Sequence, residues 1–181
     1  SISEVFLAGR APSWILTRVQ KLLGDAEDLR FGSVWLPDDE FLQDGGETLL
    51  RCAGWWQADG FQFPSIQAAC NGTLLSLGQC LPGAAWGTAK PVARVVPTAT
   101  GCPRARAAGK DGLRSAFAIP LIAQNRVMAV LEFYSDRDAL PEQGVLDWFM
   151  QVGEYIATGL PSVVEARGRA SSDSAHEAPR T

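Results

Sequence analysis

The apolar residues of this chain recur with two periods, near 3.6 and near 2, and the changes between them divide it into elements. Ile15, Val19, Leu22 and Leu23 return at helical spacing behind Pro12, a first-turn residue, and Gly24 is placed as a stop. Residues 31–36 and 48–57 read as strands, joined through a polar turn and a loop carrying Gly45-Gly46. From Pro64 to Leu81 the helical period comes back in Ile66, Ala69, Cys70, Leu74, Leu77 and Leu81, weakened at Gly72. A glycine- and proline-punctuated crossing runs on to Pro91, followed by an apolar run from Val92 to Val96 that Pro97 ends. Pro103 to Lys110 predicts a short helix.

The strongest pattern spans residues 112–135. Apolar residues flank a short polar break at Gln124-Asn125, which predicts two antiparallel strands with a tight turn. Alternation puts Ser115, Phe117, Ile119 and Leu121 on one face of the first strand. The second strand divides into Val127, Ala129, Leu131 and Phe133 against Met128, Val130, Glu132 and Tyr134. Both faces are largely apolar, so the hairpin belongs in the middle of a sheet covered on both sides. A last helix starts at Pro141 and carries a wide stripe of Val145, Trp148, Phe149, Val152, Tyr155, Ile156 and Leu160. The resulting organisation is one domain over residues 1–164, with a polar tail at 165–181 that shows no periodicity and reads as disordered.

Composition narrows the class. A domain of this size buries enough surface for a core without staples. Apolar residues at 46% and charged residues at 20% are the balance of a soluble globular protein. The net charge of −4 offers no basic field for phosphate backbones, so no nucleic-acid partner is expected. No apolar run reaches bilayer length and no signal-like amino terminus is seen, which predicts no membrane partner and a cytoplasmic address. Cys52, Cys70, Cys80 and Cys102 lack paired spacing and the one histidine, His176, lies in the tail, so no metal site is expected and the thiols read as reduced.

Several residues carry candidate chemistry. Arg104 and Arg106 near Cys102, and a helix start at Pro103, would favour its thiolate. Arg104, Arg106, Lys110 and Arg114 together suggest an anion site. Glu132 is the polar residue in an apolar strand, and either meets a cation such as Arg114 or lines a wet pocket. Among six tryptophans, Trp56 and Trp86 are candidates to stack on a ligand. Because Trp55 and Trp56 adjoin on one strand, only one of them faces a given side.

Gly112-Leu113-Arg114-Ser115, Ile119-Pro120-Leu121 and Ala129-Val130-Leu131-Glu132-Phe133 resemble the carboxy-terminal hairpin of GAF domains, the small-molecule sensing modules of bacterial signalling proteins. Leu81-Pro82-Gly83-Ala84-Ala85-Trp86 with Lys90-Pro91-Val92 is similar to the crossing found in GAF domains of histidine kinases and cyclic-di-GMP enzymes. Two departures stand out: Gln79-Cys80 replaces a common glycine, and Val96-Pro97-Thr98 lacks an aspartate. The resemblance implies an α+β fold, with an antiparallel sheet of about six strands. Terminal helices would cover one face, and mid-chain helices and loops would roof a pocket on the other. It further implies a non-catalytic sensor of signal transduction, a two-component system among the settings, that relays ligand state through its terminal helices and dimerises through them. The candidate ligand-facing set is Trp56, Trp86, Cys102, Arg114, Phe117 and Glu132.

No cofactor is named by the residues. The cyclic-nucleotide pattern is missing at Ser135-Asp136 and at Pro141-Glu142-Gln143, Cys102 is followed by Pro103 where bilin-binding members have histidine, and His176 is misplaced for haem. The alternative is a ligand-free dimerisation module. A thiol-based redox sensor or a methionine sulfoxide reductase ranks lower, because the cysteines fall on four separate elements. The expectation is that the chain is not an enzyme.

Overall fold

The computed structural model describes residues 12–38, 46–96 and 101–174, with side chains as far as 159. The Gly45 end of the first loop, Pro97 and His176 lie outside the described residues. Eleven elements follow one another: α1 (Pro12–Ala26), β1 (Phe31–Asp38), β2 (Leu49–Gln57), α2 (Pro64–Cys70), β3 (Leu74–Leu75), α3 (Cys80–Thr88), β4 (Val92–Val95), α4 (Pro103–Lys110), β5 (Ser115–Ala123), β6 (Arg126–Ser135) and α5 (Gln143–Ser174). The strands form one antiparallel sheet in the order β3-β2-β1-β6-β5-β4. The α+β class and the six-stranded sheet expected from the sequence are thus present, with the β5–β6 hairpin inside the sheet. Gln124 and Asn125 both take positive φ, 52° and 58°, as a tight hairpin turn requires.

Alternation along the strands sorts the core into two layers. On the back, Val34, Phe117, Ile119, Leu121, Leu131 and Phe133 pack under α1 and α5. Phe149 of α5 meets Phe117 and Phe133 edge-on, with centroids 5.0 and 4.9 Å away. On the front, Phe31, Trp35, Leu50, Ala116, Val130 and Tyr134 pack under α2, α3 and α4. Helices α2 and α4 are tied together by Asp111. Its carboxylate accepts the Ile66 and Ser65 backbone N–H groups at 2.8 and 3.3 Å, capping α2 where Phe63 cannot.

Four boundaries differ from the sequence expectation. The single helix predicted over residues 64–81 is two: Gly72 and Gly78 adopt φ of +67° and +77°, the chain leaves the helical region at each, and β3 pairs with β2 between them. The Leu81-Pro82-Gly83 crossing is the first turn of α3, where proline is tolerated because its missing N–H has no helical partner. Gly24 is no stop, since α1 continues to Ala26. A Cβ at Gly24 would overlap the Trp56 ring, so the glycine lets that ring lie against the helix. Finally, α5 runs on to Ser174, into the region predicted as a disordered tail. The Ala, Glu and Arg of that stretch are strong helix formers even without an apolar stripe.

Candidate functional site

A buried ion pair on the front face centres the site. Glu132 points from β6 toward the front helices and is fully buried. Its partner is Arg104 of α4, 2% exposed, with Nη2 2.7 Å from Oε2 and Nη1 3.0 Å from Oε1. Arg114, the expected partner, is exposed. Its backbone is held in the sheet edge by Ser135 and Val96, and the following Ser115 begins β5. Helix α4 explains the substitution. Arg104 and Ala108 form its buried face, whereas Arg106 and Lys110 face solvent, so the predicted basic cluster is divided.

Both carboxylate oxygens of Glu132 are saturated. Oε1 also accepts from the Tyr134 hydroxyl at 2.8 Å, and Oε2 from Ser33 Oγ at 2.8 Å. Trp35 Nε1 donates to Ser33 Oγ at 2.9 Å, and the Arg104 guanidinium lies 4.5 Å over the Trp35 ring. Burial pulls the Arg104 pKa down, yet Glu132, Tyr134 and Cys70 outweigh it and hold the guanidinium well above its ordinary value. Burial raises the Tyr134 phenol well above its own, so it stays a donor. Arg104 Nε has no hydrogen-bond partner, as is also true of the buried Gln20 Oε1 and Trp56 Nε1.

The network crosses the sheet. Gln20 of α1, fully buried on the back, donates Nε2 to the Glu132 carbonyl at 2.8 Å and to the Ser33 carbonyl at 3.0 Å. Gly32 lies against that amide, and a side chain there would collide with Gln20 and Trp56. Ser33 and Glu132 thus bond to the front layer through their side chains and to α1 through their backbones.

Beside the ion pair lies a cavity of about 120 Å³. Cys80 and Leu81 of α3 line one side, and Arg94, Val95 and Val96 line another. The start of α4 at Cys102, Arg104 and Ala105 closes it over Ala116, Glu132 and Tyr134. Cys80 and Cys102 form a disulfide, with Cα atoms 5.8 Å apart. This corrects the reading of four reduced thiols, because the fold brings two residues 22 positions apart to the same cavity wall. Cys80 holds φ at +53°, a sparsely populated conformation for a side chain-bearing residue. The remaining thiols also meet. Cys52 and Cys70 share a hydrogen bond that lowers the Cys70 pKa to about 7, opposed by burial and assisted by Arg104, whose Nη2 lies 3.4 Å from Cys70 Sγ. The same bond and burial push Cys52 upward. Four separate elements therefore deliver the cysteines as two pairs.

Of the six sequence candidates, Cys102 and Glu132 border this cavity. Trp86 packs half-buried in the same layer without lining it. Trp56 lies on the back under α1, while its neighbour Trp55 stacks on Phe31 of the front layer. Phe117 is also on the back, where it borders a second cavity of about 270 Å³ beneath the start of α5. Arg114 lies outside both linings. Arg94, Gln20 and Ser33 were not singled out in the sequence. For Gln20 a signal exists, since it shares the helical face of Leu16, Val19 and Leu23.

Comparison with known proteins bears on this arrangement. The family profile described as GAF domain matches residues 15–160. No curated protein matches the chain by sequence. Among solved structures, a GAF domain from a phosphoenolpyruvate-protein phosphotransferase of Coxiella burnetii is similar with a TM-score of 0.62 at 18% identity, over 94% of this chain and 92% of that one. The free methionine-R-sulfoxide reductase from Neisseria meningitidis, in complex with its substrate, gives 0.63 at 15% identity over 91% and 87%. A domain assigned to a two-component sensor histidine kinase of Sinorhizobium meliloti gives 0.62 at 12% identity over 89% and 98%. At these identities the likeness is one of fold.

Proposed function

The chain belongs to the GAF domain family, and from that premise we propose that it is a non-catalytic regulatory module of cytoplasmic signal transduction, binding a small molecule beneath α3 and α4. The observation that carries this reading is the polar network that touches the cavity at Glu132 and Arg104 and reaches α1 at Gln20. A ligand that displaces Arg104 or Glu132 shifts the strand backbones that Gln20 grips. Repacking of α1 and α5 passes the change on. These helices leave Trp14, Leu22, Trp148 and Tyr155 exposed, and a second copy of the chain covering them makes a homodimer the relay. Two-component signalling is one such setting.

The test is native mass spectrometry of the purified chain, followed by amide NMR. A retained small molecule, whose removal shifts resonances of α1 and α5 as well as the cavity, supports the sensor. A bare dimer that no small molecule perturbs identifies a dimerisation module instead.

A second reading draws on the disulfide in the cavity wall and on the likeness to the Neisseria reductase. As a reductase, the chain would convert two thiols and a sulfoxide into a disulfide, a thioether and water, and in a cytoplasm the Cys80–Cys102 bond would be reducible. Turnover of methionine sulfoxide with dithiothreitol, lost in Cys102→Ser, would establish it and end the non-catalytic account.

A further inference from the structure

The cavity has a charge balance that specifies its ligand. Among the described residues Glu132 is the one carboxylate lining it, and that group is already neutralised by Arg104 and saturated by four hydrogen bonds. Two positive features are left over. Arg104 carries its unpartnered Nε–H inside a nearly fully buried side chain, and Arg94, exposed on β4, lines the opening without an ion pair among the described residues. Two helices also begin at this wall, α3 at Cys80 and α4 at Pro103, and neither has a side-chain cap. The Gln79 side chain accepts from Ser76 N–H instead. Pro82 and Pro103 carry no N–H, and the Gly83 N–H is bonded to the Gln79 carbonyl. The positive potential at this wall therefore comes from the leading amides of Leu81 in α3 and of Arg104 and Ala105 in α4, the residues that meet the cavity.

Apart from Tyr134, whose hydroxyl donates to Glu132, the remaining described lining is apolar: Leu81, Val95, Val96, Ala105, Ala116 and the disulfide. A space of about 120 Å³ is somewhat smaller than the roughly 150 Å³ apolar cavity that accepts benzene, so it takes about six heavy atoms. We propose that the cavity binds a short-chain carboxylate anion. Its carboxylate faces Arg94 and the two helix starts, and its alkyl body lies against Val96, Leu81 and Ala116. Engaging the carboxylate draws the Arg104 guanidinium away from Glu132. This assignment rests on the cavity being a ligand site.

The experiment is isothermal titration of the full 181-residue chain, with its disulfide formed, using butyrate, its neutral isostere butyramide, and nitrate. The expected result is saturable butyrate binding, at least tenfold weaker binding of butyramide and of nitrate, and about tenfold weakening of butyrate in Arg94→Gln with the thermal midpoint unchanged. Ala105→Leu, which fills the space from a partly exposed position, should abolish it. Equal binding of butyrate and butyramide would overturn the anion requirement while leaving a ligand cavity. Nitrate binding as tightly as butyrate would overturn the alkyl requirement. Absence of binding by all three would overturn this assignment, while the sensor reading beneath it is decided separately by the small molecule that native mass spectrometry finds retained or missing.

Discussion

Glu132 is the residue on which the front layer depends. Removing its charge leaves Arg104 buried without a counter-ion, and Glu132→Gln should cost about 3–5 kcal/mol in urea denaturation. The pair replaced as Arg104→Met with Glu132→Leu should cost less than that single change, because neither charge is left stranded. A second residue-scale expectation concerns Cys70. With its pKa lowered to about 7 from a reference near 9, the folded chain sheds that proton earlier than the unfolded chain. The contribution to stability therefore rises between about pH 7 and 9 and is lost as pH falls through 7. Above pH 9 the sign reverses, since Cys52 is pushed upward and the unfolded state then gives up its proton first. Wild type minus Cys70→Ala, compared by denaturation across this range, should show a gain of about 1–3 kcal/mol up to pH 9. Thiolate absorbance near 240 nm should rise through the same midpoint and vanish in the variant. The polar position of Glu132 was legible from the strand pattern, but its partner was not. Four basic residues fall between 104 and 114, and only the phase of α4 against the sheet chooses Arg104 among them.

At the scale of elements, the lid is held by covalent closure as well as packing. Cys80–Cys102 spans 22 residues and joins the starts of α3 and α4. By loop-closure entropy its reduction should cost about 3 kcal/mol. Hydrogen exchange should quicken first in α3, β4 and α4, with α1 and α5 still protected. Gly24 gives a sign that propensity alone would get wrong. Gly→Ala inside a helix ordinarily stabilises by about 1 kcal/mol, yet here the new methyl meets the Trp56 ring. Gly24→Ala should therefore destabilise by about 1–3 kcal/mol, and Trp56→Leu in the same chain should recover much of it. Most elements could be read from periodicity because their apolar stripes are long: the hairpin, α1 and α5 are where the pattern puts them. The stretch from Pro64 to Thr88 could not. Helical spacing persists through Ile66, Cys70, Leu74, Leu77 and Leu81 although the backbone turns twice at glycines, and the core takes only Ile66, Cys70 and Leu81 of that stripe, with Leu75 buried in place of the exposed Leu77. Tertiary pairing of Leu74 and Leu75 with β2 decides the matter, and no local pattern records it.

For the molecule as a whole, the front cavity and the outer helices lie on opposite faces of one sheet, so the proposed regulation requires communication through it. Gln20→Leu keeps the size of the side chain but removes the amide that donates to the Ser33 and Glu132 carbonyls. If the relay runs through this amide, the variant should bind a cavity ligand as before while the NMR response of α1 and α5 falls several-fold. Self-association is checked separately. If the proposed dimer forms through these helices, Tyr155→Glu, at a position 65% exposed, should lower the sedimentation weight from dimer to monomer and leave the thermal midpoint of the monomer close to unchanged. Family membership was readable from the fragments around Leu81-Pro82-Gly83 and Leu131-Glu132-Phe133, because the second lies in the sheet centre, constrained on both sides, and in the first the Ser76 carbonyl leaves no room for a Cβ at Gly83. The meeting of cysteines was not, since it is made by chain crossings rather than by spacing.

Position 32 has a consequence of its own. A hydrogen there, in place of a methyl, reduces the wall between the charged pair and the first helix to the thickness of a single peptide layer. Gly32→Ala would plug that window against Gln20 and Trp56, and on the proposed relay it would leave a guest still able to enter while the far side stays deaf.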